Sequence, residues 1–214
     1  LNGIDLQIQQ SKNAPALVVT GLNTRATFNG LTMSSLSDGA VRVEKGAFVE
    51  IIDVLFSSNV ADNGGCVHAD GLGTKVVLKQ VESTGSQVNE FGGFVCAENG
   101  SEVEIYDAKI AKASTKKKGG VIAILSGSTV TAFDLRATES SAEEAGAVIH
   151  AQGFGSVGFL SNSTVVDASS NYGGVFSAEN GGKITMKHST TNQINARKNG
   201  GLMYANGKNS KITL

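Results

Sequence analysis

The stretch NGGCVHA, residues 63–69, decides the fold: two glycines stand directly before a run in which apolar residues alternate. The arrangement returns at EFGGFVCA (residues 90–97), KKGGVIAI (117–124), NYGGVFSA (171–178) and KNGGLMYA (198–205). Taking the first glycine of each pair as a marker, and Gly146 before Ala147 as its equivalent, the series is Gly64, Gly92, Gly119, Gly146, Gly173 and Gly200. The intervals are 28, 27, 27, 27 and 27 residues. Asp38-Gly39 extends the series by a step of 26, and Pro15-Ala16 by one of 23. Residues 1–14 read as the tail of a preceding unit. A fixed period of this length is the signature of a repeat architecture.

Columns of like residues support this phase. Three residues after the marker stand Val18, Val41, Val67, Val95, Ile122, Ile149, Phe176 and Met203; five after it stand Thr20, Val43, Ala69, Ala97, Ile124, Ala151, Ala178 and Ala205. Further on come Ala26, Val49, Val76, Val103, Val130, Val157, Ile184 and Ile212, then Phe28, Ile51, Leu78, Ile105, Ala132, Phe159, Met186 and Leu214. Columns two apart mark strands with one face in and one face out. A looser third strand holds pairs such as Ala108 and Ile110. Such a unit cannot bury its own apolar face, whereas stacked copies bury a continuous column. The expectation is an all-β, right-handed parallel β-helix of about eight coils of some 27 residues, three strands per coil, forming one segment over residues 1–214. The marker glycines are expected at sharp corners that need positive φ, a region that asparagine also tolerates.

Composition narrows the function classes. The 214 residues carry a net charge of −1, with 27 Gly, 1 Pro and no Trp. A nearly neutral chain gives no electrostatic reason to expect nucleic acid as a partner. No run approaches 18 apolar residues, so no direct membrane span is expected. The chain does not begin with Met, and it enters and leaves in nearly the same phase of the repeat. It therefore reads as a segment of a longer rod, whose partners are neighbouring coils of a parent chain or further copies of itself.

FSSNVADNGGCV (Phe56 to Val67) resembles the polymorphic outer-membrane-protein repeat, in which Phe-x-x-Asn precedes Gly-Gly and an aliphatic residue. The Gly-Gly-aliphatic half recurs at GGFV, GGVI, GGVF and GGLM, but the Phe-x-x-Asn half matches in register once. That repeat occurs in bacterial autotransporter adhesins and in large surface proteins of microbial eukaryotes. The resemblance implies an adhesin-type passenger or shaft on a cell surface, outside the cell. It supplies no catalytic residues to carry over.

Several side chains warrant a chemical reading. Asp107 and Asp134 occupy one column in neighbouring coils, about 5 Å apart on the strand spacing, with Arg136 two residues on. Two stacked acids beside a cation suit acid–base work on a polysaccharide, or equally a solvated surface. Lys79 and Ser161 are expected to flank them in that column. His68 and His150 share a column three coils apart and His188 lies on another strand, so no metal site is expected from them, and no cofactor. Cys66 and Cys96 are offset in adjacent coils, too far apart for a relaxed disulfide, and are expected as free, half-exposed thiols. KASTKKKGG (112–120) offers three lysines to an anionic surface glycan or to water. GFGSVG (153–158) has no helix after it and is not a phosphate loop. Asn99-Gly100-Ser101 and Asn162-Ser163-Thr164 are glycosylation sequons, Asn99 being the one in a turn. The functional expectation is a non-catalytic structural shaft of an extracellular surface protein, filament or adhesin, touching surface glycans or proteins at most. The alternative is a polysaccharide lyase or hydrolase built on Asp107, Asp134 and Arg136.

Overall fold

A computed structural model describes residues 2–9 and 14–214, and the statements below concern these residues. All regular structure is β, and every strand pair is parallel. The chain winds into a parallel β-solenoid of about seven turns, close to the eight units counted in the sequence. One sheet stacks eight short strands: Leu17–Thr20, Val41–Glu44, Val67–Asp70, Val95–Glu98, Ile122–Leu125, Ile149–Gln152, Phe176–Glu179 and Met203–Asn206. A fifteen-stranded sheet wraps the rest of each turn. Its main strands, such as Lys75–Thr84, Glu102–Ala111 and Thr129–Ala142, run through both the second and the third strand expected for a coil. Residues 2–9 pair with Asn29–Ser34, as a preceding coil should.

A residue in the left-handed region bends the chain at the same place in successive coils. Asp53, Gln80, Asp107, Asp134 and Asn162 all have φ between 52° and 56°. The bend turns the strand around the rod without breaking the ladder. Val103 and Ile105 face inward before it, and Ala108 and Ile110 face inward after it; all are buried.

One hydrophobic cluster runs through most of the rod, from Val19 to Met186. Val41, Val67, Val95, Ile122, Ile149 and Phe176 pair in consecutive register, and all are buried. The mostly alanine column beside them is buried as far as Ala178, and it also takes the larger Val43 and Ile124. Two expected placements shift by one residue. Leu17 and Val19, not Val18 and Thr20, pair with Val41 and Val43, and Val18 is 52% exposed. Pro15-Ala16 lacks the glycine pair and does not mark phase. Likewise Gly158 and Leu160, not Val157 and Phe159, join the columns of Val130 and Ala132. The corner Gly153–Ser156 has four residues where Asn99–Ser101 has three, and the extra residue delays the strand by one.

The glycine pair answers two separate steric demands. Gly92 has φ +69°, and a Cβ there would lie 2.1 Å from the Val95 carbonyl oxygen. The equivalents Gly64, Gly119, Gly146, Gly173 and Gly200 have φ between 60° and 72°. Gly93 does not have positive φ; a Cβ there would meet the Gly120 carbonyl of the next coil at 2.2 Å. The first glycine is fixed by the turn itself, the second by how closely successive turns stack. Phe56 and Asn59 of the Phe-x-x-Asn motif are both buried. The Asn59 amide accepts from Leu36 N (3.2 Å) and donates to Met33 O (3.4 Å), which satisfies backbone groups of the preceding coil.

Candidate functional site

Asp107 and Asp134 sit at the left-handed bend of two neighbouring long strands, exposed, with Arg136 exposed two residues on. Their true column neighbours are Gln80 and Asn162, which share the left-handed conformation; Lys79 pairs with Tyr106 and Ser161 with Phe133. This is the same one-residue delay caused by the long corners. Asp134 accepts a hydrogen bond from Asn162 Nδ2. The column runs Asp53, Gln80, Asp107, Asp134, Asn162 and His188, all with positive φ and mostly Asp or Asn, whose short polar side chains tolerate that region. Backbone geometry accounts for both aspartates without reference to a substrate. A groove of about 460 Å³ opens beside this column. Asp53, Gln80 and Asp107 line it on one side, and the Lys109–Glu82 ion pair (2.7 Å) on the other.

The outer face of the short-strand sheet holds more chemistry than the sequence indicated. Its first outward column runs Arg42, His68, Cys96, Ala123, His150, Ser177, Tyr204. Alternation predicts that these side chains face solvent, yet Cys96, Ala123, His150 and Ser177 are fully buried. A strap covers them: Phe91, Lys118, Ala145 and Tyr172 pair along the rod just before each glycine corner. Cys96, Ala123 and Leu125 form a small second core beneath it, with Phe91 packed against them. This covered face is where the one-face-out expectation fails, because the loop before each corner folds back over the sheet.

His150 is the most unusual group there. Its Nε2 donates to Gln152 Oε1 at 3.2 Å, and its buried Nδ1 has no partner. Burial pushes its pKa down to about 4, against Gln152 and Glu179, which favour the charged form. The ring is thus neutral at physiological pH. Lys118 Nζ lies 2.7 Å from Glu179 Oε2, both largely shielded, and forms part of the lid. Nearby, a pocket of about 320 Å³ is walled by Tyr172 and Tyr204, whose rings are 5.1 Å apart.

At the other end of this face His68 Nε2 lies 2.6 Å from Glu98 Oε1. That hydrogen bond holds the Glu98 carboxyl below the usual range, outweighing burial. Glu44, Asp70 and Glu98 form an acidic column in consecutive coils, each just before a corner. This signal was present in the sequence as an acid at the same offset from each marker. Among the described residues no group of three or more His, Cys, Asp or Glu could hold a metal ion. His188 lies apart, at the end of Lys183–Lys187, and is exposed.

The remaining candidates have structural partners. Cys66 and Cys96 are free, as expected, but fully buried rather than half-exposed. Cys66 Sγ lies 3.2 Å from both Ser83 Oγ and Ser86 Oγ, and burial pushes its pKa up to about 11. The three lysines of 116–118 are each engaged, with Asn89 Oδ1 (2.8 Å), Glu90 (2.6 Å) and Glu179 (2.7 Å). Asn99 and Asn162 are both exposed and both in the left-handed region, at a corner and at a bend. No family model matches the chain, and no curated protein or solved structure matches it either.

Proposed function

We propose that this chain is a non-catalytic shaft segment of an extracellular surface protein, filament or adhesin. The observation that carries the reading is the continuity of the rod. One dry core runs through most of its turns. The outer faces are stitched turn to turn by pairs such as Lys75–Glu104 (2.6 Å), Lys79–Glu50 (2.7 Å) and the stacked rings of Tyr106 and Phe133 (5.6 Å). Exposed pairs of this kind each contribute little, but they resist fraying wherever one turn meets the next. The acids nominated for chemistry sit where the backbone alone accounts for them. Contacts with surface glycans or proteins, and an N-glycan on Asn99, fit the same reading.

A polysaccharide lyase or hydrolase remains the second reading, because a groove of about 460 Å³ borders Asp107. Two measurements separate them. Electron microscopy of the native material should show rods or filaments. The double variant Asp107→Asn, Asp134→Asn should leave assembly unchanged. Loss of a polymer-degrading activity in that variant would replace the shaft with the enzyme.

A further inference from the structure

The corner between each short strand and the following long strand occurs in two lengths. Counted along the rod, corners one, three, six and eight have four residues: 21–24, 71–74, 153–156 and 207–210. Corners two, four, five and seven have three: 45–47, 99–101, 126–128 and 180–182. The second residue of a long corner projects as a knob. Leu22, Leu72 and Phe154 are 78%, 86% and 84% exposed, the three most exposed large apolar side chains among the described residues. Short corners place a glycine there instead, Gly46, Gly100, Gly127 and Gly181, and form flat ledges. Knobs and ledges stand in one line. A Cβ on Gly46 would lie 3.1 Å from Leu22 Cδ1, one on Gly100 3.3 Å from Leu72 Cδ1, and one on Gly181 3.3 Å from Phe154 Cα.

We propose that this edge docks antiparallel on the same edge of a second copy of the chain, with Phe154 of each rod seated on Gly46 of the other between Leu22 and Leu72. A two-fold axis at corner four sets corner one against seven, two against six and three against five. Leu22 then faces Gly181, Leu72 faces Gly127 and Phe154 faces Gly46, so every apolar knob meets a ledge. A shift of one corner in either direction sets Phe154 against Leu22 or against Leu72. In-register parallel pairing, the closed parallel arrangement, sets each knob on its own copy. Leu22 and Leu72 are two coils apart, about 10 Å, which admits one phenyl ring. Phe48, just after corner two, faces the part-exposed Val157 just after corner six and extends the apolar contact.

The charges are compatible. At the axis Glu102 meets its own copy, each carboxylate held by Lys75 at 3.0 Å. A second like-charged pairing, Arg25 opposite Lys183, lies at the ends. The contact spans about 29 Å. Three knobs a side cover only a few hundred Å², below the roughly 800 Å² per partner of a standard stable interface, so the pairing is weak and reversible. It deepens the shaft reading by naming the edge through which rods pack. A glycan on Asn99 would stand on the axis and block it.

The test is sedimentation velocity of the unglycosylated chain from about 10 μM to about 1 mM, a range that covers weak dimers. A reversible monomer–dimer equilibrium is expected, weakened at least ten-fold by Phe154→Ser or Leu72→Ser. Both side chains are exposed, so circular dichroism should show an unchanged fold. Under oxidising conditions Glu102→Cys should link rapidly as a dimer, because both native thiols are buried. Thr129→Cys, two coils from its own copy, should link at least ten-fold more slowly. A chain that stays monomeric throughout, association indifferent to Phe154→Ser, or equal linking by the two cysteine variants each overturns the proposal. Sedimentation reads the edge alone, so such a failure leaves the shaft reading to be judged by microscopy.

Discussion

The Phe91 ring lies nearly flat against His150 two coils further along the rod, with centroids 6.4 Å apart and planes 16° from parallel. Ala123, the small neighbour of His150 in the outward column, belongs to the cluster against which Phe91 packs. This stack seals a neutral imidazole under the strap, and stability must therefore depend on pH.

The unfolded chain protonates His150 near its ordinary value of about 6.5, while the folded chain resists until about 4. The unfolded state thus binds more protons across this window, and stability falls as pH drops from 6.5 towards 4. The full loss is about 3 kcal/mol. Glu98 and Glu104, held below the usual carboxylate range by His68 and Lys75 respectively, lose their contribution only below about pH 4.5. Urea midpoints at pH 7 and pH 5 should therefore differ in the native chain and converge in His150→Phe. An equal slope in the variant would show that other groups are responsible.

The second-glycine column predicts opposite outcomes for one substitution at two of its positions. Gly93→Ala drives a methyl group to 2.2 Å from the Gly120 carbonyl and should cost at least about 3 kcal/mol, since backbone on both sides must move. Gly201→Ala occupies the same place in the last glycine pair, where nothing lies within 4 Å, and should change stability by less than about 0.5 kcal/mol. Denaturant titration of the two variants is the check.

Asp107 and Asp134 should respond to substitution as backbone positions. Asn or Gly at either site should be neutral within about 0.5 kcal/mol, Ala should cost about 1, and Val more, following tolerance of the left-handed region rather than charge. A ranking by charge, with Glu better than Asn, would refute the backbone account.

Both thiols should be silent in the folded chain. Cys66 and Cys96 are enclosed, and burial raises both pKa values, so almost no thiolate exists at pH 8. An aromatic disulfide reagent should label neither without denaturant and both in it. Rapid native labelling of Cys96 would mean that the strap opens.

The solenoid was legible because its cause is local and repeated. A left-handed corner needs glycine, and a stacked strand needs alternation, so both leave marks every 27 residues or so. The columns through Val95, Ile122 and Ile149 follow from that spacing alone. Phase slipped where corners differ in length. Nothing in GFGS indicates, without its neighbours, that it holds one residue more than the corner above it. The second glycine of each pair was visible but unexplained, because its demand comes from the carbonyl of another turn.

The covered outer face lay beyond the sequence. Cys96, Ala123, His150 and Ser177 fall at positions that alternation assigns to solvent, and only the path of the strap, set by pairing of Phe91, Lys118, Ala145 and Tyr172 between turns, buries them. Sequence determined the winding, since each turn repeats the same short-range steric and apolar constraints. Tertiary structure decided which outward residues are dry and which acids belong to one column. Those relations join residues a full turn or more apart, where one extra corner residue moves every contact by one place.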